Sequence, residues 1–318
     1  MSRRPPVAPI LVLALGILAT STASIFIRNA QAYVPSLVIA ALRLTIATLV
    51  LTPLVATRRR TELRELRRAE LGLALLSGLF LALHFATWIT SLEFTTVASS
   101  VVLVSTTPLW VALLAPITIK EPLTRPILVG MAIALVGGVI IGLSDSCTWN
   151  GSGIACPPLE DFVRGSAFLG DLLALAGALM AAGYLLIGRR LRAGTSLLTY
   201  IFLVYGVAAV ALVVIMLAAG ETPFGYPPQA YLWIILTALI PQLLGHSSFN
   251  YALAYLSAAY VAISLLGEPI GSTILAYFFL DEKPGMLKII GAILILAGIY
   301  LASRGQNGKP EGQNLTEV

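Results

Sequence analysis

Residues 108–137, PLWVALLAPITIKEPLTRPILVGMAIALVG, have a counterpart 161 positions later in residues 269–298, PIGSTILAYFFLDEKPGMLKIIGAILILAG. At this one offset Pro108 aligns with Pro269, Glu121 with Glu282, Gly130 with Gly291 and Gly137 with Gly298, with no gap between them. The same shift pairs Gly16 with Gly177 and Arg28 with Arg189. Self-similarity at a fixed period is the mark of a duplicated structural unit. Each copy is apolar except at its joints, where the prolines and the charged residues collect.

Composition says what solvent surrounds that unit. Of 318 residues, 58% are hydrophobic and 11% charged, and the mean hydropathy is +0.92. Soluble domains carry about 25% charged residues, so a cytosolic enzyme, a disordered chain and a collagenous chain are all excluded. Apolar windows fall at 8–28, 35–56, 71–92, 96–118, 125–143, 166–187, 197–219, 230–252, 257–280 and 285–303. Each suffices for a membrane span of about 20 residues. The expected fold is an all-α membrane protein of ten transmembrane helices, five in each copy.

Five is odd, so the second copy enters the membrane from the opposite side. Inverted repeats of this kind are a recurrent plan of secondary transporters, with the substrate held near the midplane between the halves. The boundaries expected are residues 1–146 for the first five-helix repeat, 147–164 for an external loop, 165–304 for the second repeat and 305–318 for a polar tail.

Orientation follows from Lys and Arg, which gather in cytoplasmic loops. With the N-terminus inside, the inner segments hold 15 of these residues and the outer segments four, with Arg43 inside a span. Both termini are expected in the cytoplasm, with the protein multi-pass in the cell membrane. The net charge of +5 has its explanation there, and no nucleic-acid partner is expected. The basic loop at 57–69 reads as a short interfacial helix.

Cys147 and Cys156 share the long external loop, where an oxidising environment favours a disulfide between them; two free thiols are the alternative. No Walker A sequence, His-Glu-x-x-His motif or metal-ligand cluster occurs. No cofactor and no metal are expected. Small residues at spacings of four, Ala174, Ala178 and Ala182 or Gly130, Ala134 and Gly138, serve close helix packing or dimerisation, so a monomer or weak homodimer is expected.

Residues 108–130, from Pro108, Leu109 and Trp110 through Lys120, Glu121, Pro122 and Leu123 to Gly130, resemble the EamA domain of the drug/metabolite transporter superfamily. So do Gly267, Glu268 and Pro269 through Asp281, Glu282 and Lys283 to Gly291, while Ala41, Leu42 and Arg43 match that family's "ALR" pattern. The family's spans usually end in Gly-Glu, whereas Lys120 and Asp281 precede the glutamates in this chain. The resemblance covers about residues 9–303. It implies a ten-helix carrier, often an exporter of amino acids or other metabolites. It also implies a central cavity lined mainly by spans 1, 3, 4, 6, 8 and 9, with spans 5 and 10 behind.

Ionisable and polar groups inside spans are costly, so each asks for a reason. Glu268 lies mid-span, and Pro269 after it loosens the helix. Its carboxyl would bind a substrate amine, carry a proton, pair with a cation or tie two helices together. Gln242, His246 and Asn250 form one stripe at i, i+4 and i+8, beside a kink expected at Pro241. His84, Trp88, Ser91 and Thr95 make a similar face on the third span. Ser105, Thr106 and Thr107 precede Pro108, a second expected hinge, with Pro269 a third. Tyr184 and Trp110 are candidate aromatic contacts. The substrate set read from these patterns is His84, Trp88, Ser105, Thr106, Tyr184, Gln242, His246, Asn250 and Glu268. Glu268, His246 and His84 are the candidates for proton coupling. Arg43 could meet an anionic substrate, but is expected instead to snorkel or to pair with a carboxylate. Glu121 and Glu282 read as loop or cap structure.

The function expected is an alternating-access secondary transporter for a small organic metabolite, an exporter with an amino acid as the leading class. A passive channel or facilitator is the second reading and an intramembrane enzyme the third.

Overall fold

A computed structural model describes residues 5–95, 100, 103–143, 148–149, 153–155, 166–271, 274–275 and 285–306. Cys147, Cys156 and Glu282 lie outside the described residues, and with them the expected disulfide. The described chain is almost wholly helical, with one two-residue antiparallel ladder in which β1 (Thr148–Trp149) meets β2 (Ile154–Ala155).

The first repeat opens with α1 (Pro9–Thr20) and α2 (Ala23–Gln31), which together form the first apolar stretch. It continues with α3 (Ser36–Arg58), the short α4 (Arg60–Glu65) in the basic loop, α5 (Arg68–Phe94), α6 (Thr107–Thr118) and α7 (Arg125–Leu143). The second repeat holds α8 (Ser166–Arg192), α9 (Leu197–Ala218) and α10 (Pro228–Thr237). A π-helical stretch, Ala238–His246, leads from α10 into α11 (Ser247–Ala252), followed by α12 (Ala258–Ser264) and, last, α13 (Met286–Gln306). Six of the helical stretches are long and apolar enough to cross a membrane. Four shorter apolar helices, Thr107–Thr118, Arg125–Ile140, Ala258–Gly271 and Ile289–Ala302, fall at the fourth, fifth, ninth and tenth expected spans.

Four of these stretches are broken in the middle, each for a local reason. In the first, the hydroxyls of Thr20, Ser21 and Thr22 turn back onto the carbonyls of Ile17, Ile17 and Ala19 at 3.1, 2.7 and 2.7 Å. Such side chains compete with the helical ladder, and the helix lapses between α1 and α2. In the eighth, Pro241 sits inside the π stretch, where its missing N–H and bulky ring remove the normal i→i−4 bond. The fourth and ninth breaks are repeat mates. A turn at Ser105 and Thr106 precedes α6, and a 3₁₀ turn, Leu265–Gly267, follows α12. Each lies in the turn before the proline that the repeat preserves, whose missing N–H and ring deprive the carbonyl four residues back of its α-helical bond. Pro108 therefore starts a helix, in the first turn of α6, and the hinge expected at Pro108 is the turn before it.

The repeat symmetry is written into the packing. α7 and α13 run against each other, and they touch at two glycine pairs. A Cβ on Gly130 would stand 2.5 Å from the carbonyl oxygen of Gly298, and one on Gly137 would stand 2.6 Å from that of Gly291. Since Gly130 corresponds to Gly291 and Gly137 to Gly298, the two contacts exchange under the repeat operation. The crossing is a pseudo-two-fold axis. Ala174, Ala178 and Ala182 are fully buried within the chain, so both small-residue stripes are used in its own packing.

Candidate functional site

The interior polar residues converge on Arg43. From the middle of α3 its side chain runs inward and is 0% exposed. Nε donates to Oε1 of Gln242 at 2.9 Å, and the guanidinium carbon lies 4.2 Å from the centre of the Phe85 ring. Neither Nη1 nor Nη2 finds a hydrogen-bond partner. Its charge lies within electrostatic reach of Glu268, Tyr205 and Tyr184, and of His84 and His246. Snorkelling is thus overturned: the fully buried side chain points to the protein interior. Among the described residues three ion pairs form, and Arg43 belongs to none of them.

The stripe on the eighth span faces the same place. Gln242 is buried, with its Nε2 unpartnered. The His246 ring meets Phe85 edge-on at 5.2 Å, Phe249 at 5.4 Å and Tyr184 at 6.5 Å, with Nδ1 unpartnered. Asn250 donates through Nδ2 to the His246 carbonyl at 2.9 Å and the Tyr184 hydroxyl at 2.5 Å, leaving Oδ1 without a donor. Tyr205 of α9 lies 3.3 Å from the Ser247 hydroxyl and donates to the Gln242 carbonyl at 3.5 Å.

On the third span His84 is engaged differently. Its Nδ1 bonds the Gly177 carbonyl of α8 at 2.9 Å, and its ring stacks on Trp88 at 5.8 Å with 8° between planes. Trp88 leaves its Nε1 unpartnered. Glu268 is half-buried; its carboxyl faces Thr20 and lies within reach of Arg43, while its carbonyl accepts from the Ser21 hydroxyl at 3.1 Å. The broken first span and the broken ninth thus meet at Glu268.

Not all the sequence candidates join this cluster. Thr106 spends its hydroxyl on the Leu103 carbonyl at 2.6 Å, and Ser105 is half-buried beside it. The recorded hydrogen bonds take neither of them to Arg43. Conversely, Arg43, Phe85, Tyr205 and Thr20 belong to the cluster and lie outside the expected set. The "ALR" pattern was the available signal for Arg43, since a charge so deep in a span must meet something; Phe85 and Tyr205 carry no such signal. Among the described residues no group of His, Cys, Asp or Glu could hold a metal ion. What the arrangement offers is unpartnered polar atoms, the donors of Arg43, Trp88 and Gln242, the acceptor Oδ1 of Asn250 and the Nδ1 of His246, with Glu268 within reach of Arg43.

Comparison with known proteins gives this bundle its relatives. The model of the EamA-like transporter family matches residues 7–143 and again residues 168–304. The chain belongs to the EamA-like transporter family. The two matches are offset by the 161 residues seen in the repeat, and the family and its apolar helices make the chain an integral membrane protein. An uncharacterized transporter of Archaeoglobus fulgidus is 24% identical over 75% of this chain and 77% of its own length. A probable terminal-alkyne amino-acid exporter of Streptantibioticus cattleyicolor is 32% identical over 26% of this chain and 28% of its own. A crystal structure of a protein at 19% identity superposes with a TM-score of 0.74, covering 94% of this chain and 97% of the other, which establishes the shared fold. An EamA-family chain is a transporter by these relatives' names, not an enzyme.

Proposed function

We propose that this EamA-family chain is a secondary transporter that exports a small organic metabolite, an amino acid, across the cell membrane by alternating access. The reading includes ten spans, both termini in the cytoplasm and Glu268 as the carrier of a coupling proton. One observation carries it: Arg43, Gln242, His246, Asn250 and Glu268, drawn from both repeats, gather around the Phe85 ring in the interior, and all but Glu268 hold unpartnered polar atoms. Buried polar groups in a finished fold find partners. A cluster that lacks them, between two inverted halves, is suited to a ligand that comes and goes. The amino-acid class is supported by the partial likeness to the amino-acid exporter of Streptantibioticus cattleyicolor.

The test is counterflow in proteoliposomes preloaded with single amino acids, run with Glu268→Gln and His246→Ala alongside. Exchange by the wild type, weakened in both variants and with its pH dependence lost in Glu268→Gln, is the expected result. Wild-type rates in both variants, from acid to alkaline pH, would overturn the site.

A further inference from the structure

We propose that the free Nη1–Nη2 edge of Arg43 is the receptor for the carboxylate of the transported solute. This rests on the transport reading above and names the group by which that site recognises its solute.

Two contacts hold the guanidinium in place. Gln242 Oε1 fixes Nε at 2.9 Å, and the face of Phe85, 4.2 Å away, holds the plane by a cation–π contact. With Nε and one face occupied, the group presents its outer edge, Nη1 and Nη2, and both are buried without a partner. That edge is a rigid fork whose spacing matches the two oxygens of a carboxylate. No carboxylate of the described chain fills it, because none of the ion pairs formed includes Arg43. A charge buried at 0% exposure, oriented from two sides and left open on the third, has the form of a receptor.

The surroundings supply the complement. Asn250 Oδ1 is an unpartnered acceptor and His246 Nδ1 an unpartnered ring nitrogen in the same cluster, and the Glu268 carboxyl is the acid within reach of Arg43. These groups suit an ammonium beside the bound carboxylate. The rings of Phe85, Tyr184 and Phe249, with centroids 5.2 to 6.5 Å from that of His246, offer an apolar wall to a side chain. A polyamine or lipophilic cation would leave the Arg43 fork empty and meet a like charge there.

The rival account makes Arg43 a fixed counter-charge for Glu268. The two accounts separate with reconstituted wild-type protein and four labelled probes: L-phenylalanine, phenylalanine amide, phenethylamine and 3-phenylpropionate. Counterflow of L-phenylalanine, with amide and amine at least about tenfold poorer, is expected from loss of charge-assisted hydrogen bonds. Arg43→Lys, which keeps the charge and loses the fork, should raise the KM for L-phenylalanine by about tenfold or more with little change for phenethylamine. Amide or amine exchanged as well as the amino acid overturns the carboxylate assignment and leaves transport standing. Recovery of amino-acid exchange in the double variant Arg43→Gln, Glu268→Gln also overturns it, in favour of the counter-charge. No exchange of any probe, nor of the other common amino acids, sinks the transport reading as well. If an Arg43 variant fails to fold, the wild-type comparison of the four probes decides alone.

Discussion

Arg189 donates through Nε to Oε1 of Glu121 at 2.6 Å, an ion pair that fastens the end of α8 in the second repeat to the end of α6 in the first. The same arginine donates from Nη1 to the Leu253 carbonyl at 2.9 Å, and Glu121 Oε2 accepts from the Ala258 amide at 3.2 Å. Four segments are thereby closed over one end of the bundle. By the 161-residue offset the counterpart of Arg189 is Arg28, which is exposed, and that of Glu121 is Glu282, which lies outside the described residues.

Breaking the pair should therefore open that end. In Glu121→Gln the amide keeps one hydrogen bond and loses the charge, costing about 1.5–3 kcal/mol. An equilibrium between two states should move by about tenfold or more. The measure is the labelling rate of a cysteine placed at Tyr255, in a background lacking Cys147 and Cys156, by a membrane-impermeant thiol reagent. A rate unchanged from the parent would show that the pair does not hold this end shut.

The residue before Glu121 bears on the family's habit of a glycine there. Lys120 adopts φ 54°, the left-handed region that costs a non-glycine residue about 1–2 kcal/mol, and its side chain is exposed. Lys120→Gly relieves that strain, with part of the gain returned through the freer unfolded chain. A net stabilisation of about 0.5–1 kcal/mol is expected, read as a raised melting temperature in detergent. A lowered one would mean the Lys120 side chain makes a contact worth more than the strain.

Crossing of α7 and α13 through their glycines leaves no room for a side chain. Gly130→Val places a Cβ 2.5 Å from the Gly298 oxygen and 2.8 Å from the Ala302 nitrogen, both backbone atoms that cannot step aside. A loss of about 3 kcal/mol or more is expected, and Gly137→Val should match it through the symmetric contact. Gly138→Ala is the control, since its nearest neighbour is the tip of Leu266 at 4.0 Å. Equal thermal stability of Gly130→Val and Gly138→Ala would refute this packing.

Much of this was legible beforehand because periodicity is a one-dimensional property. The offset pairing Gly130 with Gly291 and Gly137 with Gly298 could be read without any structure, and it became an axis. The breaks before Pro108 and Pro269 were half-legible: proline announces a disturbance, and the structure puts it in the residues ahead. Arg43 was legible only in part, for a different reason. Its depth in a span is visible in sequence, whereas its burial depends on Phe85 and on Gln242, which is 199 residues away. Thr20, Ser21 and Thr22 went unremarked in an apolar run, although three successive hydroxyls able to turn back on the helix were the local cause of its break. The bond from Thr106 to Leu103 and the tie between His84 and Gly177 are likewise matters of partners.

Outside the membrane, Glu62 of α4 anchors the basic loop to the start of α9. Its carboxylate accepts from the Ser196 amide at 2.7 Å and hydroxyl at 2.6 Å. Burial alone would raise its pKa, but the bonds from Ser196, that from Thr199 and the charge of Arg59 outweigh it and the pKa is lowered. A depressed folded-state pKa gives stability that is present above the unfolded value near 4.3 and lost as pH falls through the folded one. Glu62→Gln should then be less stable than wild type at neutral pH by about 1–2 kcal/mol. The difference in melting temperature should shrink as the pH drops below about 4. A gap that is constant across pH would show that the carboxylate charge contributes nothing.

His84 and His246 look alike in sequence, and their partners give them opposite expectations. His84 holds α5 to α8 through Gly177 at 2.9 Å and is packed against Trp88, so removing it leaves a buried carbonyl without its donor. His246 is half-buried, with Nδ1 unpartnered, and removing it takes away ring contacts to Phe85, Tyr184 and Phe249 and a ring nitrogen that no protein group uses. His84→Ala should lower the melting temperature, with a loss of about 2 kcal/mol or more from the broken bond and the cavity. His246→Ala should stay within about 1 kcal/mol of wild type and raise the KM for substrate instead. The two readouts, thermal unfolding and counterflow on the same preparations, must split in that direction. A His246→Ala protein that is unstable and transports normally per folded molecule would make it the structural histidine of the two.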